Sequence, residues 1–429
     1  MNRFWLLILP AIAWFYIGLF LTIQLWYPLG LGTEQLTQHI ANFSIVYIFW
    51  IVVFFIYTLF DISTFRNSST IVSRLLAAML TNAVIATTYF YFQPELILTP
   101  RRFLLVHILV TVIGLSLWYA MIQSFLPKLW QRQLFFHQGM YDQNLHESIE
   151  AYLVEGVPSV WRFAGVLKDE TQLNPARTTV VLPPSPSLPQ EQLQKLYLLK
   201  REGVEFLEYH RFVEITQRMV PLSKISEVWF LRSVDFGRHR VFDIFKRLID
   251  LLTGFVGSII LGIIFFIVAI AIKLDTKGPT LFVQNRVGQN GKIFKLYKFR
   301  TMSGGPTDTW TQEKDTRITK VGSVLRKLRL DELPQMWNIL IGNMSLVGPR
   351  PEQVQIVNEL KQQIPYYDER HIVKPGLTGW SQLHVYANTI EGTKLKLQYD
   401  FYYIKHRSMW FDIEIILRTI FHIITLQGK

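Results

Sequence analysis

The chain has 429 residues, no cysteine, 50% hydrophobic residues and 14% aromatics, and its 44 Lys and Arg against 32 Asp and Glu leave a net charge of +12. That length fits two or three domains, and the lack of cysteine excludes a disulfide scaffold, a Cys-based zinc site and a thiol nucleophile. A mean hydropathy of +0.22 with only 18% charged residues excludes a disordered chain and argues against a wholly soluble one, while the basic balance fits nucleic acid, anionic lipid or phosphorylated substrates.

Four uncharged runs open the chain: 4–23, 43–60, 75–92 and 103–122, the last interrupted only by His107 and a few hydroxyls. At ~1.5 Å per residue each can cross a ~30 Å hydrocarbon core as a helix. Trp5, Trp26, Tyr57, Tyr89, Trp118 and Trp130 lie near the span ends, where aromatic belts sit. Ala11-Ile12-Ala13 mimics a signal cleavage site, but the apolar run continues well past it, so an uncleaved first helix is expected. Arg3, Arg66, Arg74, Lys128 and Arg132 place the N-terminus inside and return the chain to the cytoplasm after four crossings; Arg101 and Arg102, in the third loop, run against that pattern.

Residues 128–240 are polar and mixed in charge. Thr178–Leu182 reads as a strand, Pro183, Pro184, Pro186 and Pro189 break it, Gln190–Glu202 reads as a helix and Val204–Tyr209 as a second strand, giving a βαβ-like unit. No GxGxxG follows a strand here, so the segment reads as a soluble α/β spacer or assembly domain, and one that could mediate a homodimer.

Leu248–Ile272 is a second kind of apolar stretch, bracketed by Lys246-Arg247 and Lys273. As a spanning helix it would translocate residues 273–429, which carry 23 Lys and Arg against 14 Asp and Glu, a net +9. A re-entrant helix would leave that segment on the cytoplasmic face, but it needs a break, and Gly254, Gly257 and Gly262 are the candidates.

Beyond it, Leu281–Val287 and Ile293–Phe299 flank Gly288-Gln289-Asn290-Gly291, a hairpin signal. The second strand carries Lys292, Lys295 and Lys298 and is followed by Arg300. Asp331 and Glu332 stand side by side within reach of several cations in the sequence. One such carboxylate can attack phosphorus and the other can take a proton, with arginines holding phosphoryl oxygens. Spacing alone also fits helix capping, since acids just before Pro334 make a helix start signal.

A longer set of motifs bears on that choice. Lys246-Arg247 with Asp250, Lys273-Leu274-Asp275 with Gly278-Pro279, Gln284-Asn285-Arg286-Val287-Gly288, Tyr297-Lys298-Phe299-Arg300-Thr301-Met302, Leu330-Asp331-Glu332-Leu333-Pro334-Gln335, Met344-Ser345-Leu346-Val347-Gly348-Pro349-Arg350-Pro351-Glu352, Lys374-Pro375-Gly376-Leu377-Thr378-Gly379-Trp380 and Tyr399-Asp400-Phe401-Tyr402-Tyr403-Ile404 run in order from about 243 to the end. Together they resemble the bacterial sugar transferase family, the monotopic phosphoglycosyl transferases, in its long form with a four-helix N-terminal domain. The resemblance implies an enzyme of the bacterial inner (cytoplasmic) membrane with a cytosolic catalytic domain. It would transfer a sugar 1-phosphate from a UDP-sugar to undecaprenyl phosphate, the first step of exopolysaccharide, capsule or O-antigen synthesis. It implies Asp331 as nucleophile through an aspartyl intermediate, Glu332 as base, Mg²⁺ at Asp331, and Arg326, Arg350, Lys298 and Arg300 as phosphate-site residues. For Lys298 and Arg300 a solvated basic strand face is an equal reading. Two positions depart from the family pattern: Gly262-Ile263 stands where Ser-Pro usually breaks the re-entrant helix, and Arg329 where Ser or Thr is usual.

The expected architecture is a transmembrane bundle over 1–127, an α/β middle domain over 128–240 and an α+β catalytic domain over 241–429 with a membrane-inserted, re-entrant helix at 248–272. No Asp-x-Asp motif supports a soluble metal-dependent glycosyltransferase, no binding motif supports nucleic acid, and the spans lack the charges of a transporter. A non-catalytic scaffold of a polysaccharide assembly complex stays open. The run Tyr399–Leu426 is amphipathic and fits either the membrane interface or packing on the catalytic domain.

Overall fold

The computed structural model describes residues 5–27, 32–57, 59–60, 68–92, 101–130, 132–137, 161–167, 175–182, 189–234, 240–303, 317–385 and 389–424, and the chain forms two compact units, Met1–Phe212 and Val213–Lys429.

In the first unit the four uncharged runs are helices: α1 (Trp5–Trp26), α2 (Thr33–Ile56), α3 (Ser68–Tyr91) and α4 (Arg101–Trp130). Their shared core is aromatic, with Phe15, Phe43, Trp50, Phe54 and Phe103 fully buried. Phe15 meets Trp50 and Phe54 edge-on, each at 5.4 Å, a favoured ring geometry. His107 is a bonded core group: its Nε2 lies 2.9 Å from the Tyr47 hydroxyl and its ring stacks on Trp50.

By length and apolarity α1, α2 and α4 can cross a membrane, among the described residues, and so can one helix of the second unit. The third expected span falls short of that set because Arg74, Thr81, Asn82, Thr87 and Thr88 dilute it. It still belongs to the bundle, since Leu75, Ala78, Met79 and Ala86 join the common core. Thr81, Thr87 and Thr88 each donate to the carbonyl one turn back, at 2.8–3.0 Å, so their hydroxyls are satisfied within the helix.

A four-stranded, all-parallel sheet follows, built from β1 (Arg132–His137), β2 (Trp161–Leu167), β3 (Thr178–Leu182) and β4 (Glu205–Glu208) in the order β2-β1-β3-β4. Helix α5 (Gln190–Glu202) links β3 to β4, which is the expected βαβ unit. The second strand is shorter than expected, because Tyr209 opens helix α6 (Tyr209–Gln217), within which the boundary between the units falls. Of the four prolines after β3, Pro183, Pro184 and Pro186 lie outside the described residues. β1 and β2 have no counterpart among the expected elements, since neither alternates cleanly between apolar and polar residues.

After the end of α6, the second unit continues with α7 (Glu227–Ser233) and the long α8 (Arg240–Asp275). The stretch 213–234, expected with the middle domain, packs here. Glu214 pairs with Lys405 and His406, Arg218 grips Glu414 with both amino groups, and Trp229 and Phe230 lie against Phe401.

The expected break within 248–272 is absent. α8 runs 36 residues without interruption, about 54 Å of helix. Proline would remove a donor and force a kink, whereas glycine only permits one, and Gly262 sits in regular helix with open space around it. The other two glycines serve close packing instead. A Cβ at Gly254 would meet the Leu340 amide nitrogen at 3.2 Å and one at Gly257 the Met336 side chain at 2.5 Å, so both let a second helix cross closely.

The rest of the unit comprises the hairpin β5 (Leu281–Val287) and β6 (Ile293–Phe299), α9 (Lys320–Lys327), α10 (Gln335–Ile341), β7 (Ser345–Val347), α11 (Val354–Gln363), β8 (Gly376–Thr378), α12 (Ile390–His406) and α13 (Met409–Ile424). β7 and β8 pair in parallel, and Gly348 and Gly376 touch backbone to backbone there. A Cβ on Gly376 would sit 2.1 Å from the Gly348 nitrogen and 2.4 Å from the Thr378 oxygen. Gly376→Ala is therefore expected to cost about 3 kcal/mol, read as a lower thermal midpoint of the solubilised protein; an unchanged midpoint would contradict this crossing. The C-terminal amphipathic run resolves into α12 and α13, with Phe401, Ile404, Phe411 and Ile415 buried in the core, which is the expected packing on the catalytic domain, while Trp410 is 71% exposed.

Candidate functional site

The acidic pair is held by local chain geometry. Thr319 caps α9, its hydroxyl accepting from the Gly322 amide at 2.9 Å. Arg329 then turns the chain in the left-handed region, with φ at 57°, and a single tight turn over Leu330–Glu332 presents the two acids before Pro334 starts α10. Neither carboxylate caps α10, which has no side-chain cap bond. The capping explanation of the pair thus has no bond behind it.

The hairpin is fastened beside this turn by Asn338. Its Oδ1 accepts from the Tyr297 amide at 3.2 Å and its Nδ2 donates to the Lys295 carbonyl at 2.7 Å. Strand alternation does the rest. Phe282 pairs with Lys298 and Arg286 with Phe294, so Lys298 and Arg286 share one face while Lys295 is on the other. Lys298 covers the Phe282 ring at 5.0 Å.

Asp331 is 8% exposed and its Oδ1 has no hydrogen-bond partner. Burial and the adjacent Glu332 charge push its carboxyl up to about 6, against the pull of Lys298, Arg326 and Arg329. For Glu332, burial alone would act upward, but Arg350 and Arg329 hold it below the usual glutamate range. Arg350 Nη2 donates to Glu332 Oε1 at 3.2 Å, and Arg329 Nη1 lies 3.8 Å from the same oxygen. Arg350 keeps 45% of its side-chain surface exposed, so a ligand can reach it.

The cations outnumber the acids. Arg286, Lys298, Arg326, Arg329 and Arg350 act on a set of three carboxylates, Asp331, Glu332 and Glu352. Burial together with Arg286 and Arg350 drives Lys298 down to about 8, and burial with Arg350 drives Arg286 down to about 10. Burial is the larger cause of both shifts, and the excess of five cations over three acids leaves a cluster whose charge a phosphate or diphosphate group would offset.

The structure therefore brings Asp331, Glu332, Lys298, Arg326 and Arg350 together. Arg326 Nε donates to the Thr301 hydroxyl at 2.9 Å. Arg300 is engaged elsewhere: its guanidinium donates to the Thr276 and Lys277 carbonyls and the Thr276 hydroxyl at the C-terminus of α8. Arg286 and Glu352 were not singled out from the sequence, although the alternation of β5 carried a signal for Arg286.

For a divalent cation, no group of three or more acidic or histidine ligands exists among the described residues. Mg²⁺ commonly takes only one or two carboxylates and completes its shell with water and substrate phosphates. The partner-free Asp331 Oδ1 fits that sparse set.

The β7 strand and its continuation toward Arg350 are anchored to α8. Asp250 accepts from the Leu346 amide at 2.8 Å and the Ser345 hydroxyl at 3.0 Å, and Lys246 donates to the Val347 carbonyl at 2.9 Å. Arg247 donates to the Ile339 and Leu340 carbonyls, closing the end of α10.

A family model described as bacterial sugar transferase matches residues 241–426. Over 192 residues the chain is 43% identical to a UDP-N-acetylgalactosamine-undecaprenyl-phosphate N-acetylgalactosaminephosphotransferase of Aeromonas hydrophila, covering 44% of this chain and 45% of that protein. Over 182 residues it is 40% identical to a UDP-glucose:undecaprenyl-phosphate glucose-1-phosphate transferase of Escherichia coli K12, covering 41% and 39%. Over 199 residues it is 35% identical to the exopolysaccharide production protein PSS of Rhizobium leguminosarum bv. phaseoli, covering 43% of this chain and 98% of that protein. The match spans less than half the length of the first two relatives and nearly all of the third.

Proposed function

The chain belongs to the bacterial sugar transferase family, and from that premise we propose that it moves a sugar 1-phosphate from a UDP-sugar to undecaprenyl phosphate at a bacterial inner membrane. The observation that carries this reading is the buried, partner-free carboxylate of Asp331 inside a cluster of cations in excess of acids.

In this reading the diphosphate of the donor supplies the missing negative charge. An Asp331 oxygen attacks the phosphorus that bears the sugar. The bond from that phosphorus to the bridging oxygen breaks, and UMP leaves with the electron pair. Arg326, Arg350 and Lys298 hold the phosphoryl oxygens as charge redistributes. An oxygen of undecaprenyl phosphate then attacks the same phosphorus, the acyl phosphate bond to Asp331 breaks, and a lipid diphosphate sugar forms. Glu332 takes the proton of the lipid phosphate, which becomes acidic as its oxygen enters the new bond. Asp331 and the donor diphosphate would hold Mg²⁺, which supplies offsetting charge to the phosphates when bound.

The lipid acceptor fits the surroundings. α8 presents Ile263, Phe266 and Leu274 at 70% exposure or more, and Val324, Leu328, Trp337 and Ile341, on or beside the short helices flanking the acid turn, are at least half exposed. Apolar surface of that extent calls for a bilayer or a partner. α8 touches the same folded unit near both ends, through Lys246 and Asp250 and through Val268, Ile272 and Asp275. That is about 44 Å of helix, longer than the ~30 Å hydrocarbon core. A crossing helix would carry these contacts to opposite faces, which supports a helix lying lengthwise, one side on protein and the other in lipid, with the whole catalytic unit on one face; the nucleotide donor makes that face the cytosolic one.

The test is UMP release by purified protein with undecaprenyl phosphate, Mg²⁺ and a panel of UDP-glucose, UDP-galactose, UDP-N-acetylglucosamine and UDP-N-acetylgalactosamine. UMP with at least one donor, dependent on the lipid for turnover, is expected. Folded protein that releases no UMP with any of these would turn the case toward the scaffold.

A further inference from the structure

We propose that Arg286 and Arg370 form a clamp on the main chain around Arg350 and are positioning residues for it; the proposal rests on the transferase reading for the task that Arg350 performs. Two consecutive carbonyls of this loop are each held by an arginine from a different element. Arg370 Nη2 donates to the Arg350 carbonyl at 3.2 Å, and Arg286 Nη1 donates to the Pro351 carbonyl at 3.0 Å.

Both clamping arginines are themselves fixed. Arg286 Nη2 donates to Gln284 Oε1 at 2.8 Å, with the Glu352 carboxylate 3.6 Å away. Arg370 is 3% exposed; it donates to the Tyr367 hydroxyl and pairs with Asp400, both at 2.7 Å, and the Ser381 hydroxyl donates to Asp400 at 2.7 Å. The flanking backbone is tied as well: Val287 donates to the Glu352 carbonyl at 3.0 Å and Gly348 to the Thr378 carbonyl at 2.9 Å. Pro349 and Pro351 remove two more torsions.

The chain on either side of Arg350 is thus immobilised while its side chain stays open to a ligand. Stability alone does not explain the choice of residues, because apolar groups of similar volume commonly replace a buried ion pair without loss. A planar guanidinium that bonds several acceptors at fixed angles does explain it, if what matters is where the held backbone lies. In a phosphoryl-transfer site such placement has a direct consequence, since a displacement of about 1 Å costs on the order of 10²-fold in rate.

The experiment is a double-mutant cycle on Arg286, because removing Arg370 would leave Asp400 buried and unpaired and threaten the fold. Arg286→Gln is expected to lower kcat for UMP release about 10²-fold in the wild-type background and by about 10-fold or less in an Arg350→Ala background, where the placement no longer matters and only the charge of Arg286 beside Lys298 is lost. Arg286→Lys, which still reaches one carbonyl, should recover about 10-fold over the glutamine variant. Equal losses in both backgrounds would overturn the clamp. A second readout does not need activity: amide exchange at Val287 and Gly376, whose N–H groups donate to the Glu352 and Pro349 carbonyls of this loop, should quicken by at least about 10-fold in Arg286→Gln while α11 and α12 keep their protection. Unchanged exchange there overturns the clamp whatever the enzyme does. Quickened exchange in a protein that makes no UMP supports the holding of the loop and rejects the transferase reading. If Arg286→Gln does not fold, Arg286→Lys takes its place in both measurements.

Discussion

Asp331→Asn should lower UMP release by about 10⁴-fold or more, the scale seen when a covalent nucleophile is removed. The amide keeps the shape of the carboxylate but cannot attack phosphorus, so no phosphosugar adduct should form and no exchange of UMP into the donor should occur. The same substitution should leave the protein at least as stable as wild type above pH 6. Asp331 titrates near 6 in the folded protein, against an ordinary value of 3.8, so folding disfavours its charged form. A raised carboxyl is at no disadvantage below about pH 4 and carries its full penalty once pH exceeds 6, up to about 3 kcal/mol from that difference. Asparagine carries no charge and escapes the penalty. Activity lost with the thermal midpoint held or raised at pH 7.5 is the signature of a functional carboxylate kept under electrostatic strain. A midpoint that collapses with activity would instead make Asp331 a structural residue, and retained UMP release would show that another group attacks phosphorus.

How much of this was legible in the sequence depended on the range of the interaction. Runs without charge gave the helices of the bundle, and Asn-Gly between two β-rich runs gave the hairpin with its strand ends in place, because both signals are local. The acid pair was legible by chemistry, but its division of labour was not: Glu332 is held down by Arg350, 18 positions away, and by Arg329, whose left-handed backbone no pattern announced. Lys298 and Arg300 looked alike as basic residues two apart. They separate because β6 ends at Phe299, so Lys298 remains on the face toward the acids while Arg300 turns to the end of α8. The glycines of α8 were read as candidate hinges, yet two of them are contact points for α10, which only the packed structure can show. Likewise β1 and β2 gain their identity from pairing in a parallel sheet rather than from any period of their own.

Glu332→Gln should separate the two half-reactions. With Asp331 intact, the first UMP should still be released, one per enzyme, and a phosphosugar adduct should accumulate, visible by intact mass. Turnover with undecaprenyl phosphate should then fall by about 10²–10⁴-fold, the usual worth of a positioned proton acceptor. The substitution should also move the pH dependence in a fixed direction. Asp331 must be ionised to attack, so in the wild type the burst of UMP should weaken below about pH 6, close to tenfold for each further unit. Glu332 is the charge that raises Asp331 beyond what burial does, whereas Lys298, Arg326 and Arg329 pull it down. Glutamine removes the upward push and leaves the downward pulls, and it also frees Arg350 from its carboxylate partner. The acid limb of the burst should therefore shift below pH 6 in the variant. A limb that stays at the wild-type pH would mean that burial alone sets the acidity of Asp331, and a limb that rises would mean that the cations depend on Glu332 to stay in place. Loss of the burst itself would assign Glu332 to the first step and reverse the roles given to the two acids.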